Sequence, residues 1–259
     1  MTNQTLVIGG TGFLGQKVSE LGAFLSITSK TTQKELRLIK DRGKIERVVI
    51  CAPSSKRYLA NKAPLSDMKS IIDVCDKVNY LDPEKILFCS TVDANDTFFD
   101  PKTSPLDTSL DINFYGIHRN LLENYLRSEF EEVTVIRLGN LFGYNLRKNI
   151  IYDLLNATEP FQTPNNLQQW VNADWLAEMI VNSPELFIDG MTLVSEPIQV
   201  SEISEIICRN HSEMKYTEAI RAYDIKSDYA FKKNSFCTEP NGYTFQKETI
   251  LKLMKRVYG

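Results

Sequence analysis

A tyrosine followed by two basic side chains is the first feature of the chain that could carry out chemistry. Tyr115 precedes His118 by three residues and Arg119 by four, so the three share one face of a helix. A tyrosine can transfer a proton if a fixed neighbouring cation lowers its pKa from about 10 toward neutrality. Thr91, at the end of a predicted strand, could hold a carbonyl oxygen. Together these side chains are suited to proton transfer at a carbonyl, a reaction that also needs a hydride donor.

The same residues also allow a purely structural interpretation. Tyr115 could be a core residue at the start of a helix, with His118 and Arg119 facing solvent. This alternative stays open at the level of sequence.

A glycine-rich turn near the amino terminus is the candidate site for the hydride donor. The apolar run 6–8 breaks into glycines, which predicts a buried strand, a tight turn and a helix. Gly9 lets the chain turn, Gly12 leaves room for a pyrophosphate, and Gly15 lets the helix pack closely. The first amides of that helix attract phosphate. We expect the other residues of the turn to line the same dinucleotide site, namely Thr11, Phe13 and Leu14. A tight turn without any ligand is the alternative.

The end of the second predicted strand, 23–28, indicates which dinucleotide is used. NAD-binding folds place an acidic residue there to hold the adenosine ribose, whereas basic and hydroxyl groups accommodate a 2′-phosphate. Here the residues are Ser29, Lys30 and Thr31, and the first acid is Glu35. NADP(H) is therefore favoured, with NAD as the alternative; Lys30 could also be an ordinary solvated lysine.

Strands and helices alternate through the first half of the chain, which predicts an α/β, Rossmann-like, doubly wound parallel sheet. Ligands of such sheets bind outside the carboxyl ends of the strands. We therefore expect the residues after the third strand to contribute to the cofactor site, namely Cys51, Ala52 and Pro53. The short distance between the second and third strands leaves room for one crossover helix and little else, so an outer strand common in this architecture could be absent. Strands are predicted at 6–8, 23–28, 47–52, 85–90 and 133–138, and helices at 13–21, 33–42, 66–79 and 111–127.

The second half of the chain is more irregular and predicts a smaller substrate lobe. We place a dinucleotide-binding core at 1–145 and the substrate-binding or lid lobe at 146–259. A late strand at 191–194 could return to the core sheet.

Composition excludes several classes of protein. The 259 residues are 42% hydrophobic and 24% charged with a net charge of −3, which is typical of a soluble globular protein and disfavours nucleic-acid binding. No apolar run is long enough to span a membrane, and the chain enters its first strand without a signal peptide. Five cysteines without paired spacing suggest reduced thiols in a cytoplasm, and two histidines make a metal site improbable.

In combination these motifs resemble the extended short-chain dehydrogenase/reductase family of nucleotide-sugar epimerases, dehydratases and reductases. The resemblance covers roughly residues 5 to 180 and rests on motifs in the family's order. They are GGTGFLG at 9–15, Ser90-Thr91, Tyr115-Gly116, RLGNLFG at 137–143 and WVNADWLAEMI at 170–180. The resemblance implies a small-molecule substrate, a sugar or nucleotide-sugar, and leaves a homodimer open. It also implies that Asn140, Arg147 and Lys148 contact the substrate, although the last two could be a solvated loop pair.

Two departures from the family pattern bear on the reaction. Arg119 stands where the family has a lysine that also bonds the nicotinamide ribose, so His118 could share that task. The acid pair of the dehydratases is replaced by Val92 and Asp93, which disfavours dehydration. The leading hypothesis is an NADP(H)-dependent sugar oxidoreductase in which Thr91 orients the carbonyl. An NAD-dependent epimerase and a catalytically silent NADP(H) sensor are the alternatives.

Overall fold

The structure is a computed structural model that describes residues 4–95, 113–156, 164–207 and 243–259. Within these residues the chain forms two compact units. The first comprises Met1–Phe99, Ser109–Arg137 and Ala177–Met191, and the second comprises Asp100–Thr108, Leu138–Leu176 and Thr192–Gly259, so far as each is described. The division into functional lobes at 145/146 stays a prediction.

The principal sheet has six strands in the order β2-β1-β3-β4-β5-β9. The strand β1 is parallel to both β2 and β3, and β3 is parallel to β4. The predicted α/β doubly wound sheet is confirmed, and β2 is an edge strand within the described residues, as the short connection predicted. The strands are β1 Gln4–Ile8, β2 Leu25–Ile27, β3 Ile45–Ile50, β4 Lys85–Thr91, β5 Val133–Leu138, β6 Asn140–Phe142, β7 Leu167–Gln168, β8 Trp170–Asn172, β9 Met191–Leu193 and β10 Ile198–Gln199.

Helices follow most of the strands, and all but one of those in the first half of the chain were predicted. The exception is α3, a helix of six residues whose short length gives too few turns for a periodic pattern. The helices are α1 Phe13–Gly22, α2 Gln33–Lys40, α3 Arg57–Lys62, α4 Pro64–Leu81, α5 Phe114–Glu129, α6 Ile150–Leu155, α7 Ala173–Asn182, α8 Val200–Ile207 and α9 Lys247–Tyr258. Two short 3-10 turns lie at Val92–Asn95 and Pro184–Leu186.

One face of the sheet packs against helices of the first unit. Alternate residues of β1, β3 and β4 join apolar residues of α2, α4 and α5 in a single buried cluster. Two apolar residues of α4 and α5 lie outside this cluster and are exposed, Ile72 at 51% and Leu121 at 48%. Their neighbours Ile71 and Leu122 occupy the inward positions, because adjacent residues of a helix point about 100° apart.

The second unit contains two small sheets. The strand β6 is parallel to β8, and β7 is antiparallel to β10. Tyr258, in α9, donates a hydrogen bond to the carbonyl oxygen of Gly143 and accepts one from its amide, each at 2.8 Å. Among the described residues, no helix is both long enough and apolar enough to cross a bilayer.

Candidate active site

The glycine turn lies where the ends of three strands meet. The amide of Gly9 donates to the carbonyl of Ile27, and the amide of Cys51 donates to that of Ile8, each at 2.8 Å. Gly9 has a φ of +92°, and a Cβ atom there would lie 2.8 Å from the Cys51 carbonyl group. Only glycine combines this backbone angle with such close contact. The turn therefore packs directly onto the end of β3.

The helix α1 begins immediately after this turn and leaves its first amides uncovered by a capping side chain. Gly12 is the N-cap and makes no side-chain hydrogen bond, while its amide donates to the carbonyl of Gly9 at 2.9 Å. A Cβ atom on Gly15 would lie 2.2 Å from that same oxygen. The close packing of Gly15 brings the helix start against the turn, and the open N-terminus fits the pyrophosphate of a dinucleotide. Thr11 is exposed, Phe13 is half-buried and Leu14 is buried.

The turn after β2 presents Ser29 and Lys30 to solvent. Thr31 is held inside the turn, because its hydroxyl accepts a hydrogen bond from the amide of Thr28 at 2.9 Å. The carboxylate of Glu35 accepts hydrogen bonds from the amide and hydroxyl of Thr32 and caps α2. The nearest acid in the sequence is thus engaged in a cap, which leaves a hydroxyl and an amine exposed at this position.

Close packing of α5 on the segment after β4 positions Tyr115. A Cβ atom on Gly116 would lie 2.1 Å from the carbonyl oxygen of Asp93, so only glycine allows this approach. The amide of Tyr115 donates to the side chain of Asn61 at 2.9 Å. Its hydroxyl group forms a hydrogen bond with Thr91, the last residue of β4. Tyr115 and Thr91 are therefore brought together.

The environment of Tyr115 corrects the expectation that its pKa is lowered. Burial is the strongest influence and raises the pKa of Tyr115 to about 12. Arg119 lowers this pKa, as the sequence suggested, but the desolvation of a phenolate outweighs the cation, and Asp93 raises the pKa further. Tyr115 is therefore a protonated phenol at neutral pH.

Arg119 lies beneath the ring of Tyr115 and is held there by a buried carboxylate. The guanidinium carbon is 4.1 Å from the centroid of the Tyr115 ring. One nitrogen forms an ion pair with Asp67 of α4, and another donates to the carbonyl of Ser54 at 2.7 Å. The ring of His118 contacts the same carboxylate, with 2.8 Å between Nδ1 and Oδ2. Asp67, His118 and Arg119 are 9%, 5% and 3% exposed, so neither basic residue is a solvated surface group.

Comparison with known proteins identifies the fold. No protein-family model and no curated protein matches the chain. Among solved structures, a UDP-N-acetylglucosamine 4-epimerase from Methanobrevibacter ruminantium, in complex with UDP-N-acetylmuramic acid, is 13% identical with a TM-score of 0.67 over 100% of this chain and 98% of that one. A UDP-glucose 4-epimerase from Bifidobacterium longum, in complex with NAD+ and UDP, is 14% identical with a TM-score of 0.63 over 85% and 89%. A hypothetical dTDP-4-dehydrorhamnose reductase from Sulfolobus tokodaii is 16% identical with a TM-score of 0.60 over 96% and 94%.

This chain shares the Rossmann-like fold of these solved structures. The fold implied by the resemblance is thereby confirmed, whereas the roles of individual residues stay predictions. Within that fold, Arg119 is bonded to Asp67 and Ser54 and is stacked on Tyr115, an arrangement that a lysine could not reproduce because it lacks the planar fork of donors.

The remaining residues expected at the cofactor site follow β3. Cys51, Ala52 and Pro53 are half-buried, and the Ala52 side chain lies close to the Gly9 turn. The structure therefore places them beside the glycine turn, at the carboxyl end of the sheet.

The residues predicted to contact substrate are split between the units. Asn140, Arg147 and Lys148 belong to the second unit, whereas Thr91 belongs to the first. The side-chain amide of Asn140 donates to Gln168, and Arg147 is exposed. Their contact with a substrate stays a prediction.

Three functional neighbours were missed at the level of sequence: Asp67, Asn61 and Arg57. Arg57 forms an ion pair of 2.8 Å with Asp93 beside Tyr115. Of the three, only Asp67 could have been found from the sequence, because it is an acid next to the apolar Met68 in a helix predicted to have a buried face. Within the described residues, no group of three histidine, cysteine or acidic side chains could hold a metal ion.

Proposed function

We propose that this protein is an NADP(H)-dependent oxidoreductase that reduces the carbonyl group of a sugar, with a nucleotide-sugar as the substrate class. The observation that carries the proposal is the protonated Tyr115 hydroxyl, hydrogen-bonded to Thr91 at the end of β4. A carbonyl oxygen that becomes an alkoxide needs both a hydrogen-bond donor and a proton, and these two hydroxyl groups supply them.

In the reductive direction, Thr91 orients the carbonyl oxygen through a hydrogen bond, and Tyr115 gives its proton to that oxygen as negative charge develops. A bound nicotinamide dinucleotide supplies hydride to the carbonyl carbon. Tyr115 is almost wholly protonated at neutral pH and can therefore act as the donor in this direction, while its pKa of about 12 makes the phenolate left behind costly. Arg119 lowers the cost of the transient phenolate, since its charge lies against the ring.

The dinucleotide would be held by the glycine turn and the start of α1, with its 2′-phosphate near Ser29 and Lys30. Both side chains are exposed, and the carboxylate of Glu35 is occupied by the α2 cap. A phosphate there gains from a nearby ammonium group, whereas a ribose hydroxyl finds no acceptor carboxylate.

Fluorescence titration tests the choice of coenzyme. NADPH should bind more tightly than NADH, and Lys30→Ala should weaken NADPH binding by about tenfold while leaving NADH binding unchanged. Lys34→Ala is the matched control, because it removes the same charge from an exposed position on α2. Equal effects of the two variants, or equal affinity for the two coenzymes, contradict NADP(H) selectivity.

Turnover tests the reaction. Tyr115→Phe should lower the reduction of 4-keto nucleotide-sugars by about a hundredfold or more, because general acid catalysis typically contributes that much. Tyr144→Phe, which alters a tyrosine that is 58% exposed, is the control. Unchanged turnover in Tyr115→Phe with intact NADPH binding refutes the role of Tyr115.

An epimerase is the second candidate, and the structural neighbours named as UDP-sugar 4-epimerases favour it. An epimerase would purify with NAD(H) bound and interconvert UDP-sugars without net coenzyme consumption. A silent NADP(H) sensor would bind NADPH but turn over neither class of substrate; the engagement of Arg119 by Asp67 favours it. The same titration and turnover assays separate all three functions.

A further inference from the structure

Two cysteines lie side by side at the carboxyl end of the main sheet. Cys51 follows β3 directly, and Cys89 is in β4. The parallel register pairs Ile50 with Phe88, so Cys51 and Cys89 are the next residues on the two neighbouring strands. Ile50 and Phe88 point into the apolar cluster with α4 and α5. Because successive side chains of a strand alternate between faces, both cysteines point to the opposite face.

Their sulfur atoms are already in contact. The thiol groups of Cys51 and Cys89 form a hydrogen bond, both are reduced, and both side chains are half-buried. Neighbouring strands lie about 4.7–4.9 Å apart, which falls inside the 4.4–6.8 Å range of Cα separations that a disulfide requires. A bond between the two sulfurs therefore needs only a local adjustment of side chains.

The pair also lies against the groups that the proposed reaction would use. The backbone of Cys51 contacts the Gly9 turn, where a Cβ atom would come within 2.8 Å of the Cys51 carbonyl group. Cys89 stands two residues before Thr91 on the same strand and the same face. Neither thiol has a part in the proton transfer described above.

We propose that Cys51 and Cys89 form a reversible intrachain disulfide when the protein meets hydrogen peroxide, and that a bound dinucleotide slows this reaction. The first half stands on the thiol pair alone. The second half rests on the proposed function, because it requires a dinucleotide at the Gly9 turn.

The reaction balances with peroxide as the oxidant. Hydrogen bonding to Cys51 and burial raise the pKa of Cys89 well above its ordinary value, and the proposed sequence therefore has Cys51 attack peroxide and Cys89 resolve the product. The Cys51 sulfur, having released its proton, attacks one peroxide oxygen; the O–O bond breaks, giving a sulfenic acid and hydroxide, which takes up a proton to become water. The Cys89 sulfur then attacks the Cys51 sulfur, the S–O bond breaks, and hydroxide leaves with the Cys89 proton as a second water. The two sulfurs have lost two electrons in total, and a thiol reductant restores them.

Peptide mapping without reduction tests the bond. After treatment of the whole protein with a few equivalents of peroxide, a peptide joining Cys51 to Cys89 should account for most of the oxidised material and disappear on addition of dithiothreitol. Cys75→Ser is the matched control, because it removes another half-buried cysteine and should leave the bond intact. Bonds to Cys208 or Cys237, or stable overoxidation of Cys51 without a bond, overturn the proposal.

A reagent that binds paired thiols, used with single cysteine variants, tests the pairing of Cys51 and Cys89 in the folded protein. Phenylarsine oxide, which bridges two adjacent thiols, should be retained by the wild-type protein and by Cys75→Ser, but not by Cys51→Ser or Cys89→Ser. Retention by either single variant refutes the pairing. Circular dichroism of each variant confirms that loss of retention does not reflect unfolding.

Protection by NADP+ tests the second half. The oxidised coenzyme is used because NADPH could itself be consumed by peroxide. Saturating NADP+ should slow formation of the disulfide by about threefold or more. If NADPH titrates normally yet NADP+ gives no protection, the link to the dinucleotide site is refuted and the disulfide stands. If neither coenzyme binds, the proposed function is refuted, and the peptide map alone decides whether the disulfide forms.

Discussion

The buried phenol of Tyr115 should make the free energy of unfolding decrease at alkaline pH. Its pKa is about 12 in the folded protein against an ordinary value of 10.0. Between these values the unfolded chain has lost the proton and the folded chain keeps it, so the free energy of unfolding falls as pH rises. The stabilisation is fully present below pH 10 and is lost by pH 12. Two pKa units correspond to about 2.7 kcal/mol in total, of which about half is lost by pH 11.

Tyr115→Phe removes this titration while keeping the ring. Urea unfolding of both proteins between pH 9 and pH 11 should show that the wild type loses about 1.3 kcal/mol more stability than Tyr115→Phe over this interval. The variant also loses the hydrogen bond to Thr91, but the folded phenol stays mostly protonated up to pH 11, so that loss is nearly constant over the interval. Tyr144→Phe, a change at an exposed tyrosine, should retain the slope of the wild type.

Equal slopes for Tyr115→Phe and the wild type refute the reasoning. The phenol would then ionise as it does in water, and burial would not control the protonation of Tyr115. The measurement needs no substrate and no coenzyme, so it separates the state of the tyrosine from the identity of the reaction.

Three further substitutions test packing within each of the two units. Gly15→Ala should lower the free energy of unfolding by about 2 kcal/mol and weaken NADPH binding, because the new Cβ atom would overlap the Gly9 carbonyl oxygen. Denaturant titration measures the free energy of unfolding. The control is Glu20→Ala, a change on the exposed face of α1. Glu123→Gln should cost about 3 kcal/mol in the same assay, since its carboxylate has no exposed surface and accepts from Ser90 at 2.5 Å and from an arginine. Tyr258→Phe should cost about 1 kcal/mol through loss of two hydrogen bonds to Gly143, and an unchanged midpoint would show that these bonds contribute nothing.

The sequence predicted the scaffold well because its signals are local. The run VTVIRL is strand β5 at Val133–Leu138, and the helix predicted at 33–42 is α2 at Gln33–Lys40. Short apolar runs that end in glycine or proline identify buried strands without knowledge of their neighbours. The glycine turn, the end of β4 and the start of α5 could therefore be placed in advance.

The sequence could not predict the electrostatics of the site, because these depend on contacts between distant segments. Asp67 and Arg119 are separated by 52 residues and meet only when α4 packs beside α5. In the sequence, Asp67 has the appearance of an ordinary solvated acid near the start of a helix. The sequence shows the cation Arg119 near Tyr115, but it does not show the burial that outweighs this cation. The expected lowering of the Tyr115 pKa was therefore wrong.

The contacts of Arg119 explain how a guanidinium is held at the position where the sequence resemblance implies a lysine. Its planar fork donates to Asp67 and to the carbonyl of Ser54 while its face remains against the Tyr115 ring. Arg119 lowers the pKa of Tyr115, but burial outweighs this effect, so the phenol stays protonated at neutral pH. A tyrosine that is held in place but kept protonated is better suited to give a proton than to take one. Under the proposed function, such a tyrosine would act in the reductive direction and give its proton to the carbonyl oxygen.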